Sequence, residues 1–514
     1  MQKSLLEETC ELVKSLTKSE KRYFKLYTKF QQGDKSYLKL FDILDKLTGC
    51  NEKLISQKFL LKHRATNFAA VIKYLFDQII GSLKSYGAYR DLDSDHTNMI
   101  ETYKVLHYKG LHGQSEKLLK RIKQVTWDDD AFTRHFSVLL MEYHKEFFNP
   151  DDARPAQVIR ILKERRETLD IIDNFLKVGE TFTLLRLQLR KKLYCRNKKD
   201  KDELTEIIAP LLKTTEADML SRTALGMRNV TLCDYYLATG QPKKAFETSK
   251  IYLELRKNAG SNDKLDLQTL NEYFQHIAIS VRSGFFEGFE ENAKQYKILL
   301  DTVRNKEKYF IAYEKWHNCM LMYYNRTGQF EQGAAFIETE DKKGQVENNF
   351  SMKSKITRWY FYAYNLYARQ QYKKSLQYIQ RIMNQADTDI DEYSYAKLLL
   401  MFIHYDLKNF ELLEYQVRSA QRMLEKKQRL YQAEKLMLDF FKNVNGVDSK
   451  LVQQQKVAAL QLAIERLFKQ SFEKGFIFYF DIVSWLQSQL EKKTFAAVVS
   501  KNTALPALNK SVLR

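Results

Sequence analysis

The segment RWYFYAYNLYARQQYKKSLQYIQRI (358–382) contains eight aromatic residues and no acidic residue. Tyr360, Tyr364 and Tyr367 share one helix face by their i, i+4, i+7 spacing, and other apolar residues of the same helix share a second face. A helix that is apolar on two faces is either buried all round or presents one face to a partner. What surrounds this helix therefore decides the fold and the kind of protein.

The order of helix end, short turn and new helix recurs along the chain. The segments that show it are YYLATGQPKKAF (235–246), ISVRSGFFEGF (279–289), YYNRTGQFEQGA (323–334), YNLYARQQYKKS (364–375) and HYDLKNFELLEY (404–415). Their turn positions are Gly240, Gly284, Gly328, Gln370 and Lys408, which are 44, 44, 42 and 38 residues apart. Glycine suits the left-handed conformation that ends many helices. The pattern predicts a row of antiparallel helix pairs that supply each other's core.

These helix pairs resemble the tetratricopeptide repeat. Trp359, Tyr362, Ala363 and Leu366 follow in order that family's first-helix pattern of Trp, large and small residues. The match covers roughly residues 220–420, and the repeats are longer than the family's period of about 34. The resemblance implies a right-handed superhelix, or solenoid, in which the first helix of each pair lines a concave groove.

Composition predicts an almost entirely α-helical chain. The 514 residues include 5 Pro and 17 Gly, whereas strand-rich and α/β folds need more of both at their turns. We expect a helical N-terminal head or capping region over residues 1–95, about nine helix pairs over 96–490, and a C-terminal helix or tail over 491–514. Thr17 and Glu20 have capping-box spacing at the start of a head helix. The head resembles bacterial proteins known only as helical-repeat chains, which implies no activity.

The cysteines are Cys10, Cys50, Cys195, Cys233 and Cys319. They are widely spaced, odd in number and form no CxxC, so we expect neither a disulfide nor a zinc site. The N-terminus carries charge too early for a secretory signal. The longest strongly apolar run without charge, residues 359–368, is about half a membrane span. These features predict a cytoplasmic protein without a membrane span.

The sequence lacks the motifs of common enzyme classes. It contains no GxxxxGK[ST], no GxGxxG after a strand, no HExxH and no GxSxG. The nine histidines are scattered, and His107 and His112 are five residues apart, which is unsuited to joint metal ligation on a helix. We therefore expect a non-enzymatic protein with no catalytic residue, metal or cofactor.

The resemblance selects candidate ligand residues, because the groove positions of that family lie 13, 10, 6, 3 and 2 residues before the turn. They comprise a polar section (Asn271, Arg282, Lys315, Asn318, Asn325, Arg326) and an aromatic section (Tyr360, Tyr364, Tyr367, Tyr395, Phe402, Tyr405). Lys and Arg offer charge-assisted bonds to carboxylates, and Asn is both donor and acceptor. For the tyrosines three interpretations stay open: burial within a tightly wound superhelix, a peptide groove, or stacking of nucleic-acid bases.

The net charge of +20 is compatible with an acidic partner. Residues 186–201 carry eight basic residues and one acid, and residues 348–386 carry seven basic residues and no acid. The residues assigned to these basic patches are Arg186, Arg190, Lys191, Lys192, Arg196, Lys198, Lys199, Lys355, Arg358, Arg369, Lys373 and Lys374. Solvated helix faces would show the same charge, so both explanations remain open.

The sequence predicts a non-enzymatic scaffold or adaptor whose groove receives a protein or peptide segment, an acidic segment being one possibility. The alternative is binding of RNA or single-stranded DNA through the basic patches. A helix-turn-helix with its turn around residues 62–66 is a further nucleic-acid interpretation, although that turn lacks glycine. A third hypothesis is a structural component of a larger assembly.

Overall fold

The computed structural model is helical throughout its described residues. These are residues 4–29, 35–47, 49–50, 52–60, 67–86, 92–147, 155–191, 193–258, 267–303, 305–342, 350–385, 391–444, 449–470, 473 and 477–504. Within these ranges there is no β-strand, which confirms the predicted all-α class. No described helix is both long and apolar enough to cross a membrane. The predicted turn around residues 62–66 lies outside the described residues.

Contacts divide the chain into two compact units, Met1–Leu169 and Asp170–Arg514, and the division falls within helix α9. The first unit contains α1 (Leu5–Ser15), α2 (Lys18–Tyr27), α3 (Ser36–Lys46), α4 (Glu52–Leu60), α5 (Phe68–Tyr86), α6 (Leu92–Tyr108), α7 (His112–Asp128), α8 (Phe132–Phe147) and the start of α9 (Pro155–Lys191). The predicted capping box is present at the start of α2. The amide of Glu20 donates to Thr17 Oγ1 at 3.3 Å, and the amide of Thr17 donates to Glu20 Oε2 at 2.7 Å.

A disulfide joins Cys10 in α1 to Cys50, which lies just before α4. The expectation that this chain has no disulfide was therefore wrong. Packing of α1, α3 and α5 brings the two Cα atoms to 5.9 Å, although the residues are 40 apart in sequence. Sequence spacing contains no record of such a tertiary approach, because the pairing follows from how the helices pack.

The second unit contains the remainder of α9 and fifteen further helices. They are α10 (Lys198–Leu212), α11 (Arg222–Ala238), α12 (Pro242–Asn258), α13 (Leu267–Ser283), α14 (Phe289–Asp301), α15 (Lys306–Arg326), α16 (Phe330–Lys342), α17 (Met352–Ala368), α18 (Tyr372–Met383), α19 (Asp391–Asp406), α20 (Phe410–Lys426), α21 (Gln432–Asn443), α22 (Lys450–Gln470), α23 (Ile482–Glu491) and α24 (Phe495–Ala504), with a short 3₁₀ turn at Glu216–Asp218.

All five predicted turn positions adopt the left-handed conformation. Their φ angles are +74° at Gly240, +80° at Gly284, +73° at Gly328, +59° at Gln370 and +60° at Lys408. In four of these turns the next residue's amide donates to the carbonyl five residues earlier, at 2.7 to 2.9 Å. This bond satisfies a helix-terminal carbonyl. Gln370 and Lys408 keep the same geometry at the modest strain that a non-glycine residue meets there.

The turns produce a regular order of packed helix pairs. We call α11, α13, α15, α17 and α19 the first helices. Each first helix packs against the helix that follows it, and each also packs against the next first helix. Buried residues of α13 to α24 form one large hydrophobic cluster, whereas those of α11 and α12 belong to smaller separate clusters.

Candidate binding face of the first helices

The predicted ligand residues lie on α13, α15, α17 and α19, and we call the side of these helices that carries them the groove face. Two of its asparagines join neighbouring helices. Asn325 of α15 donates to the Phe361 carbonyl of α17 at 3.0 Å and accepts from Asn365 at 3.1 Å. Asn318 donates to Ser354 Oγ at 2.8 Å. In this structure these amides therefore hold α15 against α17.

Arg326 joins α15 to α13. Its guanidinium donates to the main-chain carbonyls of Val281 and Arg282, the second at 3.0 Å, and lies over the Phe478 ring at 5.9 Å. Burial lowers the pKa of Arg326, because the protein removes water from the charged group. Arg326 thus places a positive charge within the groove face, and its guanidinium donates hydrogen bonds to main-chain carbonyls of α13.

Arg282 of α13 shares one carboxylate with Arg186 of α9. Asp234 of α11 is 2.7 Å from Arg282 Nη1 and 2.8 Å from Arg186 Nη2. Burial opposes the charge on Arg282, but the Asp234 carboxylate outweighs it and raises the Arg282 pKa. The sequence had assigned Arg282 to the groove and Arg186 to a basic patch, and the structure brings the two together.

Lys315 and Asn271 are the exposed members of the polar section. The Lys315 ammonium lies 5.1 Å from the centre of the Phe274 ring. Partial burial lowers the pKa of Lys315, Arg186 acts in the same direction, and the neighbouring Glu314 opposes it. Glu314 itself accepts hydrogen bonds from the amide and hydroxyl of Ser351, which lies directly before α17.

The aromatic section is buried. The solvent-exposed fraction of Tyr360, Tyr364, Tyr367, Tyr395, Phe402 and Tyr405 is 0 to 6%. Of the three interpretations of the tyrosine face, the structure shows burial, and the expectation of an open aromatic groove is corrected. The physical reason is that a later part of the same chain covers these rings.

The covering residues are 477–504, which we call the C-terminal segment. Tyr360 donates its hydroxyl proton to the Tyr479 carbonyl at 2.7 Å. The Tyr479 ring stacks on Tyr395 with a centroid distance of 4.0 Å, and Phe480 stacks on Phe402 at 4.2 Å. The aromatic section thus contacts an aromatic turn of the C-terminal segment by ring stacking and a main-chain hydrogen bond.

Helix α24 completes the cover. Phe495 lies 5.9 Å from the Tyr364 ring and 5.7 Å from the Tyr367 ring. Ser500 donates to the Gly328 carbonyl at 2.8 Å, which attaches α24 to the turn after α15. Burial raises the pKa of both tyrosines, so their hydroxyls stay protonated as donors, and Tyr367 donates to Asp406 at 2.7 Å.

Besides Arg186, three of the predicted basic-patch residues contact other residues of the same chain. Arg358 is buried and its guanidinium lies 4.9 Å from the Tyr362 ring, one helical turn away. Arg369 pairs with Glu331 at 2.9 Å. Arg196 is also buried, as described below. The basic-patch assignment is therefore corrected at Arg196, Arg358 and Arg369. Basic residues that are close in sequence lie on different faces of a helix, and these faces differ in their exposure.

The other predicted basic residues differ in exposure. Arg190, Lys198, Lys199, Lys373 and Lys374 are exposed, and Lys355 is half-buried. Lys192 lies outside the described residues, and the side chain of Lys191 is not among those described. The exposed lysines are separated along the chain on α10 and α18.

A second polar cluster surrounds Arg196, which the sequence had placed in a solvated basic run. Its guanidinium bonds Glu434 at 3.3 Å, Glu473 at 3.5 Å and the Tyr395 hydroxyl at 3.1 Å, and it lies 4.5 Å from the Tyr431 ring. Burial opposes this charge and its anionic neighbours outweigh burial, so the Arg196 pKa is raised. The two glutamates offset the charge of the arginine, and Arg196, Tyr431 and Glu434 line a small cavity.

The described residues define the class: an all-helical protein of packed helix pairs, with its own C-terminal segment packed against the aromatic section. Within the described residues no group of His, Cys, Asp or Glu has the arrangement of a metal site. Comparisons with models of protein families, with curated proteins and with solved structures gave no match.

Proposed function

We propose that this protein is a non-enzymatic scaffold that binds polypeptide segments on the groove face of a tetratricopeptide-like, right-handed solenoid. One observation carries the proposal: the aromatic section already receives a polypeptide, namely the C-terminal segment of the same chain. Stacked rings and the bond from Tyr360 to the Tyr479 carbonyl are the interactions by which a peptide groove would hold an aromatic ligand.

The cover stops within the polar section. Phe478 lies against Arg326, and the polar residues beyond it, Arg282, Lys315 and Asn271, belong to helices α13 and α15. Lys315 and Asn271 are exposed there. We therefore assign ligand binding to the part of the groove face formed by α13 and α15.

Nucleic-acid binding has weaker support. A protein that follows a phosphate backbone needs several available cations along one track. The guanidinium groups of Arg196, Arg358 and Arg369 instead contact glutamates or aromatic rings of the same chain. Assembly by end-to-end stacking has no specific observation in its favour and is retained as an outcome of the experiment.

The experiment is selection of short random peptides on the immobilised full-length protein, with binding of the enriched peptides measured at several salt concentrations. The test variant is Asn271→Ala/Lys315→Ala, since both side chains are exposed and the hydrogen bonds of Asn318, Asn325 and Arg326 between the first helices stay in place. We expect enrichment of peptides whose affinity for this variant falls by about tenfold, or about 1.4 kcal/mol.

Failure to retain any peptide would overturn the proposal. So would strong binding of mixed RNA that disappears with salt on a steep double-logarithmic slope, because that slope measures released counterions.

A further inference from the structure

Two arginines from two helices of the second unit share one buried carboxylate, and the charge of a lysine on a third helix interacts with one of them. Arg186 comes from α9, Arg282 from α13 and Lys315 from α15, while Asp234 of α11 contacts both arginines at 2.8 and 2.7 Å. The Asp234 side chain is 3% exposed. Lys315 is close enough to Arg186 for the two charges to repel each other. We call Arg186, Arg282 and Lys315 the cation cluster.

The cation cluster has more positive charge than its surroundings neutralise. Asp234 supplies one negative charge for two arginines, and Lys315 faces the Phe274 ring. Glu314 reduces the excess, although its carboxylate already binds a serine amide and hydroxyl. In the described part of the chain, no carboxylate lies within ion-pair distance of the Lys315 ammonium. Charge held with so few partners in a partly dry site favours an incoming anion.

We propose that the cation cluster binds the side-chain carboxylates of an acidic polypeptide segment. This inference rests on the proposed function, since it names the ligand class for the open part of the same groove face. Arg186 and Lys315 are reachable from solvent, the side chain of Arg186 being 47% exposed, and Arg282 lies deeper. The cluster therefore combines two solvent-accessible cations with one more deeply buried cation, which suits a carboxylate better than a long phosphate track.

The cations are held in place before any ligand arrives. The Arg186 guanidinium lies 5.2 Å from the Phe182 ring, and the Lys315 ammonium lies 5.1 Å from the Phe274 ring. Cation–π contacts restrict these long side chains, so that less freedom is lost when a ligand binds.

The C-terminal segment cannot neutralise the cluster. Residues 477–504 contain two carboxylates, Asp481 and Glu491. Asp481 caps α23 by accepting from the Ser484 amide and hydroxyl at 3.0 and 2.6 Å, and Glu491 binds Lys493 at 2.8 Å. The segment that covers the aromatic section therefore supplies no carboxylate to the cation cluster.

The test is fluorescence anisotropy with a fluorescein-labelled hexaglutamate, acetylated and amidated so that it has no terminal charge. Measurements use the full-length chain at about 0.15 M salt, where distant surface charges are screened beyond about 8 Å. The test variant is Arg186→Gln/Lys315→Gln. The matched control is Lys373→Gln/Lys374→Gln, which removes the same charge from exposed positions of α18. Circular dichroism melts establish that both variants are folded.

We expect the dissociation constant to rise by about tenfold or more in the test variant and to change by less than about twofold in the control. Equal weakening in both variants would show general attraction to a basic protein and overturn the inference. No change in either variant, or tighter binding of an oligothymidylate of matched charge than of hexaglutamate, would also overturn it. If random peptides are still selected while hexaglutamate ignores the cluster, this inference alone fails and the scaffold function stands.

Discussion

Replacing Phe480 with alanine should destabilise the second unit by about 4 kcal/mol. The Phe480 side chain is 2% exposed and lies within 4.2 Å of Phe402, 5.6 Å of Phe495, 5.8 Å of Tyr364 and 6.0 Å of Tyr367, measured between ring centroids. Removing a fully buried phenylalanine costs about 3–5 kcal/mol through lost transfer free energy and the cavity left behind. Each favourable ring pair adds about 0.5–1.5 kcal/mol, and partial collapse of the site offsets part of that.

Urea unfolding measures this loss through the fluorescence of Trp485, which is fully buried in the same aromatic core. The control is Tyr415→Ala on α20, since that ring is 67% exposed and its removal should cost less than about 0.5 kcal/mol. A loss below about 1 kcal/mol for Phe480→Ala would refute the reasoning, because the C-terminal segment would then contribute little to the core.

Three further changes test other parts of the structure by urea unfolding. The Cys10→Ser/Cys50→Ser variant should lower the free energy of unfolding of the first unit by about 4 kcal/mol, because the unfolded chain regains the entropy of a 40-residue loop. A reductant should destabilise the wild type and leave the variant unchanged. Arg196→Met should lower the free energy of unfolding by about 3–5 kcal/mol, because two buried glutamates lose their cationic partner. Replacing both glutamates with neutral residues as well should restore most of the lost stability. Burial raises the pKa of Asp406 to about 6 from an ordinary 3.8, so the folded state binds this proton more tightly than the unfolded state. The proton on Asp406 therefore stabilises the folded state by about 3 kcal/mol below about pH 4, and this stabilisation is lost as the pH rises through about 6. Asp406→Asn should remove this decline of stability with rising pH.

The local features of the fold were readable from the sequence. Glycine predicts the turns at Gly240 and Gly328, and the spacing of the repeats predicts those at Gln370 and Lys408, although neither residue is glycine. Helix ends depend on a few neighbouring residues, so short patterns determine them. The capping box that begins at Thr17 was found for the same reason.

Long-range contacts were not readable, because no local pattern encodes them. Tyr360 bonds a carbonyl 119 residues later, and Arg196 pairs with Glu473 at a separation of 277 residues. The predicted ligand residues lie on α13, α15, α17 and α19, and a remote part of the chain, residues 477–504, covers the aromatic ones. One missed signal was local: Arg358 precedes Tyr362 by one helical turn, the spacing of a cation–π pair within a helix.

The two halves of the groove face differ in what it costs to cover them. Burying the rings of the aromatic section gains about 25 cal/mol for each Å² of apolar surface removed from water, so an aromatic segment of the same chain covers them stably. Burying Lys315 and Arg186 under the same segment would remove water from two charges and return no carboxylate. A permanent apolar cover is therefore favourable over α17 and α19 and unfavourable over α13 and α15. The open half is the one that only a partner with its own negative charge can close at a gain in free energy.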